Sequence, residues 1–219
     1  MSLDPGIAHE RLRSARLYLI LTRGLCRLPP EEVLRQALEA GVDLVQVREP
    51  SLPDRLFLEW IHAVRELSAL KHVPVIVNDR PDLALLGGAD GVHVGQEDLP
   101  PRAVRELLGP ERIVGLSTHG RADVEAAGQE PVDYVGVGPV FDSPTKGLPG
   151  RGAALLEEAL PAARWPAFAI GGLRPERVDD LRPCGLQRVA VSSAVCAAEE
   201  PGRVVQEFLR RLHADPSAP

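Results

Sequence analysis

The sequence predicts a single (β/α)8 barrel of the α/β class, and three observations predict it. Short runs rich in Val and Ile recur along the chain, helix signals fall between them, and polar residues stand where the runs end. The chain has 219 residues, enough for one domain with a sizeable core and a usual size for a single α/β barrel. The expectation is one domain over 1–219, with its core at about 17–213 and short disordered termini.

The elements follow in order. Residues 17–22 form the first apolar run, and Pro30 with Glu31 and Glu32 then opens a helix that Gly41 stops. The second strand covers 42–48. A helix follows over 54–70, with Leu56, Trp60, Val64 and Leu67 close to helical spacing. Strand three (73–77) runs into Asn78-Asp79, and Pro81 starts a short helix. Strand four covers 91–94, and Pro100-Pro101 opens a helix through Leu108. Strand five (112–116) ends at Ser117, and strand six (133–137) ends at Gly138-Pro139, with a helix over 121–127 between them. A longer loop, 140–152, precedes a helix over 153–163. Strand seven (166–170) ends at Gly171-Gly172, a helix covers 175–181, strand eight (187–191) ends at Ser192-Ser193, and a last helix runs from Pro201 to Leu212. Eight βα units in this length favour a closed TIM barrel over an open doubly wound sheet. An open sheet would carry its glycine-rich loop after the first strand, and Thr22-Arg23-Gly24-Leu25 is no such loop.

Composition narrows the function classes. The formal net charge is −6 and no basic block stands out, so a nucleic-acid partner is not expected. No apolar run reaches the roughly 18 residues of a membrane span. The N-terminus has no charged-then-apolar-then-small pattern, and the expected location is cytoplasmic. Cys26, Cys184 and Cys196 form no CxxC or Cys/His pairing and read as reduced thiols.

The strand ends of a barrel converge on one face, where the chemistry of this fold sits. Here they carry Gln46, Arg48, Asn78, Asp79, Ser117, His119, Gly171, Gly172, Ser192 and Ser193. Gly171-Gly172 lets a ligand approach the backbone, and Ser192-Ser193 leads into a helical turn whose amides favour an anion. The bland reading is a tight turn beside an ordinary helix cap. Asp79 and Asp98 lie after neighbouring strands and could share one Mg²⁺, which takes one or two carboxylates and completes its shell with water and phosphate. Alternatively, each could cap the helix that follows it. Arg48 ends an otherwise apolar strand, so its guanidinium reads as a phosphate clamp in the mouth. Lys146, in Ser143-Pro144-Thr145-Lys146-Gly147, reads as a second cation on a loop suited to folding over an anion, or as a solvated lysine. His93 reads as a barrel-lining residue, and His119 has no partner visible in sequence.

Val45-Gln46-Val47-Arg48-Glu49, Val77-Asn78-Asp79, the run from Gly91 to Leu99, Gly115-Leu116-Ser117-Thr118-His119, Gly138-Pro139-Val140-Phe141 and Ala169-Ile170-Gly171-Gly172 stand in this order along the chain. Together they resemble the thiamine phosphate synthase family and its thiazole tautomerase relatives, from about Leu17 to Leu209. The resemblance implies a barrel that joins a pyrimidine diphosphate to a thiazole phosphate with Mg²⁺. It implies small phosphorylated substrates as partners and leaves a homo-oligomer open. By position, Gln46 and Arg48 look like pyrimidine and pyrophosphate contacts and Asn78 like a pyrophosphate contact. Asp79 and Asp98 look like the Mg²⁺ ligands, and Ser117 like the residue near the pyrimidine amino group. Ser143, Thr145 and Lys146 fit the family's hydroxyl-x-hydroxyl-Lys loop, and Gly171, Gly172, Ser192 and Ser193 resemble the thiazole phosphate site. Arg48, Ser117 and Lys146 are the expected catalytic residues. Two departures stand out. Pro50 occupies the place of a usual lysine, and the tail from Gly147 to Gly152 resembles the tautomerase branch. A metal-free tautomerase and a non-catalytic thiamine-pathway binding protein are therefore the alternatives.

Overall fold

The computed structural model describes residues 3–142 and 149–214. Eight parallel strands close into a barrel in chain order: β1 (Leu17–Leu21), β2 (Leu44–Val47), β3 (Val75–Asn78), β4 (Gly91–Val94), β5 (Ile113–Thr118), β6 (Tyr134–Val137), β7 (Ala167–Ile170) and β8 (Val189–Val191). Closure is made by β1 against β8, with Leu19 opposite Val191. The expected strands are all present, with boundaries moved by one or two residues, as hydrogen-bond pairing rather than apolar composition sets the ends.

The outer layer holds α2 (Pro30–Glu39), α3 (Asp54–Ala69), α4 (Pro81–Leu86), α5 (Pro101–Leu108), α6 (Arg121–Ala127), α7 (Ala153–Ala159), α8 (Pro175–Leu181) and α10 (Pro201–His213). Each helix buries one stripe. In α3 the stripe is Phe57, Trp60, Ile61, Val64 and Ser68, which faces the barrel wall. The helical turn expected after β8 is α9 (Ser193–Cys196). At the other end, α1 (Pro5–Ser14), which the sequence reading does not include, precedes the barrel and packs against it. Asp4 caps α1, its carboxylate accepting from the Gly6 amide at 2.9 Å.

The strands are buried on both faces, which is why they read as continuous apolar runs rather than alternating ones. Residues still alternate in direction. Leu17, Leu19 and Leu21 face the helices, whereas Tyr18 and Ile20 face the barrel interior. The interior is filled by Tyr18, Ile20, Leu44, Ile76, Ile113, Tyr134, Phe168 and Ala190, and Ala8 and Leu12 of α1 close it from the N-terminal end. Room for Tyr134 comes from Gly115 on the neighbouring strand, where a Cβ would lie 2.1 Å from the ring. Among the described residues, no helix is long and apolar enough to cross a membrane. Cys26, Cys184 and Cys196 carry free thiols.

Candidate active site

Two adjoining cavities open at the C-terminal ends of the strands. The outer one measures about 790 Å³ with its open mouth included and is walled by Thr22, Arg48, His119, Gly171, Gly172, Ser192 and Ser193. The inner one, about 410 Å³ on the same measure, lies between Tyr18, Gln46, Asn78, His93, Tyr134 and Phe168. Arg48 and Ser117 border both. The structure thus gathers Gln46, Asn78, Arg48 and Ser117 around the inner cavity, and Gly171, Gly172, Ser192 and Ser193 around the outer one. Ser143, Thr145 and Lys146 lie outside the described residues.

The inner cavity is floored by a chain of polar tips. The Gln46 Nε2 donates to the Tyr18 hydroxyl at 2.8 Å, and that hydroxyl lies 2.8 Å from the hydroxyl of Tyr134. The Tyr134 hydroxyl is 2.9 Å from His93 Nδ1, and His93 Nε2 is 2.9 Å from Ser117 Oγ. One proton assignment that satisfies the chain places the His93 proton on Nε2. In it Tyr18 donates to Tyr134, Tyr134 donates to His93 Nδ1, and His93 Nε2–H donates to Ser117. With that tautomer Ser117 keeps its own hydroxyl proton for a ligand. Burial raises both tyrosine hydroxyls well above their ordinary value, so they act as neutral hydrogen-bond groups and not as bases. His93 is a lining residue, as the sequence suggests, and its partners are now visible.

The outer cavity is shaped by glycine. Gly171 and Gly172 both hold positive φ (103° and 59°), and a Cβ on Gly171 would lie 2.7 Å from the Pro139 backbone. The glycine pair therefore serves the turn as well as the opening: the Gly171 carbonyl accepts from the Phe141 amide at 3.0 Å. Ser192 occupies the cap position of α9 but its side chain makes no cap bond. The first amides to donate within that turn are those of Val195 and Cys196, to the Ser192 carbonyl, so the amides of Ser193 and Ala194 stand at the open end. His119, unpaired in the sequence reading, is fixed by its Nδ1 on the Gly138 carbonyl at 2.7 Å and walls the outer cavity. Arg151, in the tail that resembles tautomerases, donates to the His119 carbonyl at 3.0 Å and pairs with Glu158 at 2.8 Å.

Arg48 makes no close ion pair among the described residues. Glu49 next to it accepts from the Arg23 amide at 2.8 Å, and burial raises its carboxyl above the ordinary value. Asp79 is exposed and holds positive φ (60°), a left-handed conformation that Asp tolerates better than most residues. Its carboxylate accepts from the Asn78 side-chain Nδ2 at 2.5 Å. Asp98 is also exposed and accepts from the Gly95 amide at 2.7 Å. Neither carboxylate caps a helix: Arg80 and Pro100 hold the cap positions of α4 and α5, without side-chain bonds. Asn78 pairs with His93 across β3 and β4, which sets Asp79 beside the start of the Gly95–Asp98 loop. Neither Asp79 nor Asp98 lines either cavity, so both belong to the rim. Among the described residues, no cluster of three or more metal-ligating side chains is present.

Fold and site define a (β/α)8 barrel with a two-chambered small-molecule pocket at the C-terminal face of its strands. The family described as thiamine monophosphate synthase matches residues 17–195. The thiamine-phosphate synthase of Vibrio campbellii is 38% identical over 203 residues, covering 92% of this chain and 99% of that protein. That of Gloeobacter violaceus is 41% identical over 211 residues, 95% of this chain but 60% of the relative. The chain thus spans about three fifths of the length of several relatives that it matches. The solved thiamine phosphate pyrophosphorylase of Pyrococcus furiosus superposes with a TM-score of 0.82 at 30% identity, covering 93% of this chain and 96% of that one. The chain belongs to the thiamine monophosphate synthase family.

Proposed function

We propose that the chain joins a hydroxymethylpyrimidine diphosphate to a thiazole phosphate, giving thiamine phosphate and pyrophosphate. The observation that carries this reading is the pair of chambers meeting at Arg48 and Ser117. Two substrates must be held end to end, and two chambers with a shared wall suit that task. The pyrimidine would occupy the aromatic inner chamber, with the Ser117 hydroxyl proton directed at it. The thiazole phosphate would lie in the outer chamber, its phosphate against the amides near Gly172 and Ser193. The bond between the pyrimidine methylene carbon and the diphosphate oxygen breaks, and the thiazole nitrogen supplies the electron pair for the new C–N bond. The electron pair of the broken bond leaves with pyrophosphate. Arg48 would stabilise the charge growing there, and Lys146 is the second proposed cation. Tyr18, Tyr134 and Phe168 line the inner chamber, an aromatic surrounding suited to a methylene carbon that becomes electron-poor.

Mg²⁺ fits the rim. Asp79 and Asp98 sit on neighbouring loops, neither is consumed as a helix cap, and one or two carboxylates suffice beside phosphate oxygens. The ion would neutralise the leaving diphosphate. The retained carboxylates favour this reading over the metal-free tautomerase, and so do the relatives' names.

The test is incubation of the full chain with both substrates and Mg²⁺, with thiamine phosphate as the readout. Chelation by EDTA should stop formation, and Asp98→Ala should lower the rate by about 10²–10³. Metal-independent isomerisation of a thiazole carboxylate phosphate, without synthase activity at any Mg²⁺ concentration, would replace this reading with the tautomerase.

A further inference from the structure

Cys26 and Cys196 stand near opposite ends of the chain and read in the sequence as unrelated reduced thiols. Closure of the barrel brings them together. The short turn Arg23–Leu25 follows β1, α9 follows β8, and β1 pairs with β8. The Arg27 amide donates to the Cys196 carbonyl at 2.9 Å, which ties the two backbones directly beside both cysteines. Chains joined by such a bond run about 5 Å apart, within the roughly 4.4–6.8 Å between Cα atoms that a disulfide spans.

The side chains converge as well. The Cys26 sulfur lies 3.4 Å from the Thr22 carbonyl oxygen, and the Cys196 sulfur 3.7 Å from that of Ile20, two acceptors on one edge of the same stretch. The Thr22 amide also reaches the Cys196 sulfur, and the two thiols are within hydrogen-bond reach of each other. Cys184 lies elsewhere, against Glu157. Cys196 is fully buried and Cys26 only partly, so a reagent from solvent meets Cys26 first. Cys196 ends α9, and its amide donates to the carbonyl of Ser192 at 2.9 Å. Ser192 and Ser193 wall the outer chamber, so a displacement of Cys196 is passed within one turn to that wall.

We propose that Cys26 and Cys196 are a redox-active pair whose disulfide weakens anion binding in the outer chamber. That the anion is a substrate phosphate rests on the proposed function; formation of the disulfide does not. The oxidant is a low-molecular-weight disulfide. The Cys26 thiolate attacks one of its sulfurs and forms a mixed disulfide, and the first small thiol leaves with the electron pair and takes up the Cys26 proton. The Cys196 thiolate then attacks the Cys26 sulfur, and the second small thiol leaves and takes up the Cys196 proton. The protein loses two electrons and two protons, and the reagent gains both. The hydrogen bond to Cys196, and then burial, raise the Cys26 thiol above its ordinary value, so the first step quickens as pH rises.

The experiment incubates the reduced, folded chain with oxidised glutathione at about pH 8.5, near the ordinary thiol value, and then removes the reagent. Free thiols should fall from three to one per chain, and a digest should hold one pair of peptides joined through Cys26 and Cys196. Dithiothreitol should restore all three. Calorimetric affinity for inorganic phosphate should be about fivefold or more lower in the oxidised protein than in the reduced one. Cys26→Ser, or Cys26→Ala if the first variant does not fold, should bind phosphate like the reduced parent before and after the same treatment. Thiols that all stay free, glutathione retained on Cys26, or a link between two chains overturns the pair. A Cys26–Cys196 disulfide with unchanged phosphate affinity overturns its coupling to the chamber. If the reduced parent makes no thiamine phosphate but its phosphate affinity still falls on oxidation, the inference stands and the synthase reading fails. If the reduced parent turns over and oxidation joins no Cys26–Cys196 peptides, only the inference fails.

Discussion

The two ends of the barrel use the same side chain in opposite ways. At the N-terminal end, Asp43, Asp90 and Asp133 stand before β2, β4 and β6, and each accepts from a main-chain amide at or next to the start of the preceding strand. Asp43 takes the amides of Arg16 and Leu17 at 2.8 and 2.9 Å, Asp90 that of Val75 at 2.8 Å, and Asp133 that of Val114 at 2.8 Å. Asp133 also holds Arg105 at 2.7 Å, and Asp90 the Leu3 amide ahead of α1 at 3.2 Å. At the C-terminal end, Asp79 and Asp98 are exposed on loops above a cavity. The lower carboxylates satisfy donors that closure of the sheet would otherwise strand; the upper ones face solvent and whatever enters the mouth. The comparison teaches that an aspartate's role in this fold is set by which end of a strand it adjoins.

Substitutions at the two ends should therefore fail in different assays. The largest effect is expected at the mouth. Arg48→Ala should lower kcat/KM for thiamine phosphate formation by about 10²–10³, with melting temperature nearly unchanged. A large loss of stability instead would erase the contrast. Next comes the floor: Asp133→Ala leaves the buried Val114 amide without its acceptor and takes the carboxylate from Arg105, at a cost of about 2 kcal/mol. For a chain of this size that lowers the melting temperature by about 4–8 °C, while turnover at low temperature should persist. The smallest effect is a pH dependence at the same end. Burial raises the Asp90 carboxyl above its ordinary 3.8, so the native state holds that proton more tightly than the unfolded chain. Its contribution to stability is full below 3.8 and declines as pH rises toward the raised native value. Asp90→Asn removes this decline. Its penalty, measured as the melting-temperature difference from the parent, should be smaller at neutral pH than in acid; an equal penalty at both would show that the carboxylate charge is not disfavoured there.

Much of this was legible in the sequence, because parallel strands buried on both faces announce themselves as apolar runs and the residues just past them point into the mouth. Gln46, Arg48, Asn78 and Ser117 could be named in that way. The chain of tips from Gln46 to Ser117 could not, as it joins residues 116 and 41 positions apart across the interior. The available signals were Tyr18, His93 and Tyr134 inside apolar strands, where a polar tip needs a partner. Helix α1 escaped because only Ala8 and Leu12 of its residues are buried, too few to set a period, although Asp4-Pro5 is a start signal.

The Tyr134 ring sits over Gly115, and that arrangement sets how deep the inner chamber reaches. Floor and core are the same atoms here, so the two positions form a matched pair of sizes. Adding a methyl at 115 alone would drive the ring upward into the space a pyrimidine would use. Trading size between the two, with Gly115→Ala and a smaller residue at 134, would keep the volume while redrawing the chamber. The route by which such a barrel drifts toward a differently shaped heterocycle therefore runs through paired exchanges beneath the pocket, not only through the loops above it.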